Sequence, residues 1–316
     1  MPTSDENLFG RAERTFGQLR IDEAVAKVRA IVGLPKVPDG EKLAQSALDK
    51  LRSGRMRPSA EELAALEFVI RMMRPAPLSK QGRLQPLPAK QGSSVYQPEV
   101  SGAWDRFCEK TARILYSVGR LDRTAGPNPH IGTGFLVAPD LVLTNHHVVS
   151  ALSHGADELD PGMAVVRFYQ EFEGPEPVPE CKVLEVEAIH PTLDMALLKV
   201  EVPDTRPVLE LHTAALPAHL MVGTIGYPYQ DSRNPLFVDA IYQGQYGVKR
   251  GAVGELINAQ GQMIYHDCST LGGNSGSPVM ALDTALVVGL HFTGDFMYRN
   301  GAVAAADVAE FVAAHT

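Results

Sequence analysis

One serine of this chain lies in a local sequence that suits a nucleophile. Residues 271–279 read Leu-Gly-Gly-Asn-Ser-Gly-Ser-Pro-Val, so Ser275 stands among glycines directly before a short apolar run. A tight glycine-rich turn exposes the hydroxyl and lets the backbone approach a substrate closely. The backbone N–H groups of Gly273 and Ser275 could then stabilise the negative oxygen of a tetrahedral intermediate. Alone, such a turn is a weak signal, because similar compositions are common in loops.

A serine hydroxyl needs a base to become a nucleophile, and two further segments supply candidate groups. Residues 143–149 read Leu-Thr-Asn-His-His-Val-Val, which places His146 and His147 where a predicted strand ends. Asp194 lies at the start of a buried run, where its carboxylate could fix the tautomer of an imidazole and stabilise the protonated ring. The three segments together predict nucleophilic catalysis by serine.

The first 74 residues are predicted to form three short amphipathic helices. Apolar residues recur at helical spacing over 8–32, and a second helix is predicted between Asp39 and Gly54. Ser59 and Glu62 form a capping-box pattern before the third helix, which ends at Pro75. Such a small bundle is marginal alone, so we expect it to dock on another part of the protein.

Residues 75–102 are predicted to link this helical domain to the rest of the chain. The stretch carries five prolines with Gln, Gly and Ser between them, a composition that favours extended chain without a core. A solvated spacer is the simpler interpretation. The alternative is a segment that crosses the second domain and regulates it.

Residues 103–316 change from helical to alternating periodicity and are predicted to be mainly β. Many short runs punctuated by Gly and Pro indicate a barrel or sandwich. Helical periodicity returns at residues 304–314. The predicted strands cover 132–137, 141–144, 163–169, 182–189, 196–200, 224–227, 247–256, 277–279 and 286–292.

This second part of the chain resembles the trypsin/chymotrypsin-like serine peptidases, and among them the bacterial glutamyl endopeptidases. The motifs that carry the resemblance occur in the family's order: Thr-Asn-His-His-Val-Val (144–149), Asp-Met-Ala-Leu-Leu (194–198), Ser-Thr-Leu-Gly-Gly-Asn-Ser-Gly-Ser-Pro-Val (269–279), Gly-Leu-His-Phe (289–292) and Asn-Gly-Ala-Val (300–303). The resemblance implies two consecutive six-stranded antiparallel β-barrels, followed by a C-terminal helix, with the site between the barrels. It does not extend to the first hundred residues.

The resemblance also implies catalytic roles. Ser275 would be the nucleophile, His147 the general base and acid, and Asp194 the carboxylate that orients the imidazole. The register of the first motif selects His147 and leaves His146 as a neighbour that faces the other way. Asn274 stands where trypsin-type zymogens carry an aspartate, so activation by an ion pair with a new N-terminus is not expected.

The first specificity pocket can be predicted in part from the same resemblance. Ser269 stands where enzymes specific for basic residues carry an acid, so a preference for Lys or Arg is not expected. Thr270 and His291 match positions that bind the side-chain carboxylate in glutamyl endopeptidases, which favours Glu at P1, with Gln and Asp as alternatives. In those enzymes the N-terminal amine also serves the pocket. Because about a hundred residues precede the domain here, we expect that positive charge to be missing.

The residues after His291 are expected to present the substrate. The backbone of Phe292, Thr293 and Gly294 is predicted to pair with an extended peptide as an added strand.

Composition excludes several other functions. With 45% hydrophobic and 21% charged residues, the chain is an ordinary globular sequence, and it lacks an apolar run long enough to span a membrane. Residues 1–100 carry a net charge of +4 and the rest −12, so a nucleic-acid partner is not expected. Three widely spaced cysteines and the absence of a signal-like N-terminus favour the cytoplasm.

The sequence therefore predicts a cytoplasmic serine endopeptidase that acts on proteins or peptides without a cofactor or metal. The helical residues 1–74 are predicted to regulate it through a protein partner, and the layout is analogous to adaptor-plus-peptidase proteins of bacterial conflict and antiviral defence. The alternative is an interaction protein that retains an inactive peptidase fold and binds peptides.

Overall fold

The chain begins with a helical region that contains four helices among the residues described. The computed structural model describes residues 4–33, 38–90, 93–94, 96–126, 129–231, 236–295 and 299–316. The helices are α1 (Ser4–Phe16), α2 (Ile21–Val32), α3 (Pro38–Ser53) and α4 (Ala60–Met72).

The first predicted helix is in fact two, α1 and α2. Gly17 ends α1 with a left-handed backbone (φ +57°), a conformation that costs little only for glycine. The start of α4 matches the prediction, because the Ser59 hydroxyl accepts from the N–H of Glu62 while the Glu62 carboxylate accepts from the N–H of Ser59. The four helices pack around their own apolar core, which includes Phe16, Leu48 and Leu66.

The proline-rich stretch packs on the rest of the protein over much of its length. It contains β1 (Ser79–Lys80), β2 (Arg83–Leu84), β3 (Ala89–Lys90) and β4 (Ser93–Ser94), and α5 (Pro98–Thr111) follows. The carbonyl groups of Pro75 and Pro77 accept from the N–H groups of Val253 and Gly251, and the N–H of Ser79 donates to the carbonyl of Lys249. Leu84 and Leu87 join the main core. Residues 91, 92 and 95 lie outside the described part, and the division into domains at 74 and 102 stays a prediction.

Two closed six-stranded antiparallel β-barrels follow, which confirms the predicted fold class. The first barrel has the strand order β10-β7-β6-β5-β8-β9. Its strands are β5 (Val118–Arg123), β6 (His130–Ala138), β7 (Leu141–Thr144), β8 (Ala164–Arg167), β9 (Cys181–Ile189) and β10 (Ala196–Val200), with α6 (His146–Leu152) after β7.

The second barrel has the order β11-β12-β13-β16-β15-β14. Its elements are β11 (Met221–Gly226), α7 (Leu236–Tyr242), β12 (Arg250–Gln260), β13 (Met263–His266), β14 (Pro278–Ala281), β15 (Val287–Asp295), β16 (Arg299–Ala304) and the C-terminal helix α8 (Ala305–Ala313). The main apolar core joins residues of both barrels with α5 and α8, among them Trp104, Phe135 and Phe311. Within the described ranges, no helix is both long enough and apolar enough to cross a bilayer.

A buried network of charged side chains joins the helical region to the second barrel. Asp267 accepts hydrogen bonds from Arg11 (3.0 Å) and Arg74 (2.8 Å). Glu255 pairs with Arg74 (3.0 Å) and with Arg14 (2.6 Å). Burial raises the pKa of Asp267, but the guanidinium groups of Arg74 and Arg11 outweigh it and hold that pKa well below the usual range. The carboxylate of Asp267 is therefore ionised, and both carboxylates are paired with arginines of the helical region.

We expect Asp267→Asn to lower the free energy of unfolding by roughly 3–5 kcal/mol, because it removes one carboxylate partner from each of two buried guanidinium groups. The folded-state pKa of Asp267 is depressed, so its contribution is complete above the unfolded-state pKa of about 4 and is lost as the pH falls towards the folded value. Urea denaturation between pH 3 and 7 measures both effects. Asp283→Asn, at an exposed turn of the same barrel, is the matched control. Equal stabilities of the Asp267 variant and wild type would contradict this role.

Candidate active site

His147 and Asp194 meet at one end of the first barrel. His147 lies in the first turn of α6, and Asp194 precedes β10, whose Ala196 is paired with Thr144 of β7. The Nδ1 atom of His147 is 2.6 Å from Oδ2 of Asp194, and the N–H of His147 donates to Oδ1 at 3.0 Å. The side-chain amide of Asn145 donates to the carbonyl of Asp194 at 2.8 Å and holds the loop in place.

This contact determines the protonation pattern of the pair. Burial raises the pKa of Asp194, but the hydrogen bonds from His147 outweigh it, so the pKa is lowered and the carboxylate is ionised. An ionised carboxylate accepts from Nδ1, which leaves the lone pair of Nε2 free to take a proton. The His147 side chain is about half exposed (48%), so that nitrogen can reach a substrate.

His146 lies beside His147 but contacts a different carboxylate. Its Nε2 atom is 2.9 Å from Oδ2 of Asp157. The two rings diverge because they occupy successive positions of a helical turn, rather than the end of a strand as the sequence suggested.

The Ser275 turn belongs to the second barrel and is held against the first. The N–H of Thr133 in β6 donates to the carbonyl of Ser275 at 2.8 Å, and the Thr133 hydroxyl donates to the carbonyl of Gly273 at 2.7 Å. A Cβ added to Gly132 would lie 3.1 Å from the carbonyl oxygen of Ser275 and 2.8 Å from a methyl group of Val148, the residue after His147. Gly132 thus lies between the Ser275 backbone and α6. The serine turn and the His147–Asp194 pair therefore lie on the same side of the molecule.

Two backbone donors in this turn are left without backbone partners. The carbonyl of Gly272 accepts from the N–H of Tyr229 at 2.8 Å, and in a trans peptide the next N–H, that of Gly273, points the opposite way. Neither this N–H nor that of Ser275 donates to another described backbone group, whereas those of Asn274, Gly276 and Ser277 all do. The turn therefore presents the two donors that an oxyanion site needs.

Asn274 supports the turn from inside. It is buried, and its side-chain amide donates to the carbonyl of Leu271 at 3.2 Å. The turn is thus held by a neutral amide bonded to the local backbone.

A cavity of about 300 Å³ opens beside Ser275. The three residues predicted for the specificity pocket line it, as do the three predicted to pair with the substrate backbone: Ser269, Thr270 and His291, and Phe292, Thr293 and Gly294. The Ser269 hydroxyl donates to the carbonyl of Arg74 at 2.8 Å, which ties this wall to the helical region. Nδ1 of His291 is 3.3 Å from Nε2 of His266, so the other ring nitrogen of His291 is free for the cavity.

The cavity also contains residues that the sequence analysis did not place there. Arg71 and Met72 of α4 line it, together with Val238, Ile241 and Tyr242 of α7. A positive charge other than an N-terminal amine thus reaches this pocket, because the guanidinium of Arg71 arrives from the helical region. The sequence does contain one sign that Arg71 is buried, because it lies beside Ile70 and Met72 in an otherwise apolar stretch.

Two antiparallel six-stranded barrels, with a His–Asp pair on one and a serine turn on the other, define the class of chymotrypsin-like serine peptidases. The family model described as "Trypsin-like peptidase domain" matches residues 132–290, half of the chain. The chain belongs to the trypsin-like peptidase family, a family of serine endopeptidases.

Individual relatives are more distant. A probable serine protease of Lysobacter enzymogenes is 26% identical over 303 aligned positions, which cover 79% of this chain and 75% of that protein. A serine endoprotease from Yersinia pestis is 16% identical with a TM-score of 0.48 over 67% of this chain, and the match covers 65% of that protein, slightly less than two thirds. A Glu endopeptidase is 20% identical with a TM-score of 0.49 over 63% of this chain and 90% of its own length.

We expect Gly273→Ala to lower kcat by about 10²–10³-fold, the usual effect of losing an oxyanion donor. The added Cβ would lie 2.3 Å from the carbonyl oxygen of Tyr227, at a residue with φ +88°, so the turn must move. Steady-state kinetics on a peptide substrate measures the change. Gly261→Ala is the control, because it also has positive φ (+58°) but no atom within 4 Å of the new Cβ. An unchanged kcat for Gly273→Ala would argue against the oxyanion assignment.

Proposed function

We propose that the chain hydrolyses peptide bonds through an acyl-enzyme, with Ser275 as nucleophile, His147 as general base and Asp194 as its orienting partner. The observation that carries the proposal is the 2.6 Å contact between His147 Nδ1 and Asp194 Oδ2, next to a serine turn with two unpaired N–H groups. Neither Ser275 Oγ nor His147 Nε2 has a hydrogen-bond partner among the described residues, so both are available to each other and to a substrate.

The proposed steps follow from these positions. His147 Nε2 takes the hydroxyl proton of Ser275 as Oγ attacks the scissile carbonyl, and Asp194 stabilises the resulting imidazolium. The N–H groups of Gly273 and Ser275 bind the oxyanion. His147 then protonates the leaving amine, and water hydrolyses the ester by the reverse sequence of proton transfers.

We propose Glu as the preferred P1 residue, with Gln and Asp as the alternatives. The hydroxyl of Thr270 and the free nitrogen of His291 line the cavity beside Ser275 and can donate to a side-chain oxygen. Burial, with smaller effects of His147 and Arg71, lowers the pKa of His291 to about 3, so the ring is neutral and donates a single hydrogen bond.

The proposed substrate strand lies along β15. Strand β14 pairs with Val287, Gly289 and Leu290 only, while β15 continues to Asp295. The edge at Phe292, Thr293 and Gly294 is thereby open on the side of β14, which supports pairing with an extended peptide.

We also propose that residues 1–74 regulate the peptidase and offer a surface to a regulatory protein partner. The ion pairs from Arg11, Arg14 and Arg74 to the second barrel support this role, because they link the helical region to the wall of the pocket. A cytoplasmic setting is supported by the free thiols of Cys108, Cys181 and Cys268. A role in bacterial conflict or antiviral defence is supported by the analogy of layout alone.

A fluorophosphonate probe is expected to label the wild-type protein and to leave Ser275→Ala unlabelled. Asp194→Asn should lower kcat by about 10⁴-fold, because Nδ1 then loses the acceptor that fixes the productive tautomer. Asp157→Asn is the matched control, since that carboxylate contacts His146 instead. Absence of labelling in wild type under every condition would contradict the enzyme and favour the peptide-binding alternative.

A peptide library is expected to show cleavage after Glu, Gln or Asp, and His291→Ala should weaken that preference because a donor to the P1 side chain is lost. His212→Ala, whose side chain forms no hydrogen bond with the described residues, is the control. The measurement is the distribution of P1 residues among the cleaved bonds. A clear preference for Arg or Leu would refute the assignment.

A further inference from the structure

We propose that Arg71 of α4 is a specificity-determining residue, and that its guanidinium binds the side-chain carboxylate of a P1 Glu. The helical region would then form part of the substrate site instead of being only an attached regulator. The inference rests on the proposed peptidase function and adds a discrimination within it, Glu over Gln.

Arg71 is buried at the wall of the cavity that contains Ser275. Only 8% of the residue is exposed, and it shares the cavity with Thr270 and His291. Its Nη2 atom is 3.5 Å from Oδ1 of Asn300, a long contact with a neutral amide, and its Nη1 atom has no hydrogen-bond partner. A buried guanidinium in this state still has donors to offer a ligand.

The neighbouring arginines form ion pairs, whereas Arg71 does not. Arg11, Arg14 and Arg74 reach the same interface, and each is paired with Glu67, Glu255 or Asp267. Arg71 forms no ion pair with any described carboxylate, although Asp231 also lines the cavity. Because a buried charge is costly without a partner, the site favours a ligand that brings an anion.

The other polar groups of the pocket cannot supply that charge. Burial lowers the pKa of His291 to about 3 and that of His266 well below its ordinary value, so both rings are neutral at pH 7. Burial also lowers the pKa of Arg71, but a guanidinium remains protonated at neutral pH. Arg71 is thus the cation that lines this described cavity.

The chemistry of the guanidinium favours a carboxylate over an amide. Its planar fork of donors matches the two oxygens of a carboxylate, and the charge-assisted bonds are stronger than those to a neutral oxygen. A P1 Gln would satisfy Thr270 and His291 but would offer Arg71 no ion pair, since the nearby carboxylates of Asp267 and Glu67 favour its charge without contacting it. The expected result is selection of Glu over Gln.

The test compares two peptides that differ only in P1, Glu or Gln, on wild type and Arg71→Met. We expect wild type to prefer the Glu peptide. In Arg71→Met, kcat/KM for the Glu peptide divided by kcat/KM for the Gln peptide should fall at least about tenfold, the effect of losing a hydrogen bond between charged groups. Arg52→Met, which removes a more exposed guanidinium from α3, should keep the wild-type ratio.

Arg71→Lys is the second variant, because it keeps the charge and most of the packing but cannot form the planar fork. It should give a ratio between those of wild type and Arg71→Met. Should the Met variant fail to fold, as judged by thermal unfolding, the Lys variant decides: a reduced ratio supports the proposal and an unchanged one overturns it. A folded Met variant that keeps the ratio, or that cleaves after Glu faster than wild type, also overturns it.

The rate of fluorophosphonate labelling separates this proposal from the function on which it rests. The probe carries no P1 side chain, so labelling of the wild-type protein reports on Ser275 independently of the proposed contact between Arg71 and P1. An unlabelled wild type would contradict the peptidase itself, whereas normal labelling with an unchanged Glu-to-Gln ratio would contradict only the role of Arg71.

Discussion

The position of the helical region depends on two buried carboxylates of the second barrel, Asp267 and Glu255. Asp267, directly after β13, also accepts from the backbone N–H of Glu255 in the neighbouring strand β12 at 2.6 Å, so the two acids form one unit. Ionised groups at this depth must be paired, and the partners Arg11, Arg14 and Arg74 all come from the first 74 residues. The two carboxylates on the barrel therefore have their arginine partners only when the helical region packs against the barrel.

This pairing also determines where Arg71 points. Arg71 lies in the last turn of α4, and Arg74 follows two residues after the helix ends, with its N–H donating to the carbonyl of Arg71 at 3.0 Å. Once Arg74 is bound to Asp267 and Glu255, Arg71 is directed to the adjoining pocket, where Ser269 hydrogen-bonds to the carbonyl of Arg74. One interface thus links the stability of the helical region with the shape and charge of the pocket.

A second constraint is the close approach of the two barrels at the serine turn. Thr133 binds the carbonyl groups of both Gly273 and Ser275, and a Cβ on Gly276 would lie 1.9 Å from the carbonyl oxygen of Thr133. Glycine is required there because the two backbones nearly touch. The glycines around Ser275 therefore position the serine relative to α6 as well as shaping its own turn.

The fold class could be predicted from short contiguous motifs and the family resemblance that they carry, and the same motifs identified His147 and Asp194, which the structure brings to 2.6 Å. Three of the twelve barrel strands, β5, β13 and β16, lie outside the predicted runs. In β5, Asp122 is fully buried and pairs with Arg120 and Arg167, so charged residues interrupt the expected alternation. In strand β13 the two buried positions are Ile264 and His266, so a histidine stands where the pattern would need an apolar residue.

The contribution of the first hundred residues was much harder to predict, because it depends on contacts between distant parts of the chain. Arg71 and Asn300 are 229 positions apart, and Arg74 and Asp267 are 193 apart. The prolines at 75 and 77 suggested a solvated spacer, yet their carbonyl groups pair with β12. Proline lacks only the donor, so it fits positions of an edge segment where the carbonyl alone is needed.

The most direct test of this account is a crystal structure of the full chain with a peptide aldehyde that ends in Glu. The account predicts a covalent bond from Ser275 Oγ to the aldehyde carbon, with the hemiacetal oxygen on the N–H groups of Gly273 and Ser275. The Glu carboxylate should lie within hydrogen-bond distance of Arg71. A bond to another residue, or a carboxylate that points away from the guanidinium, would contradict it.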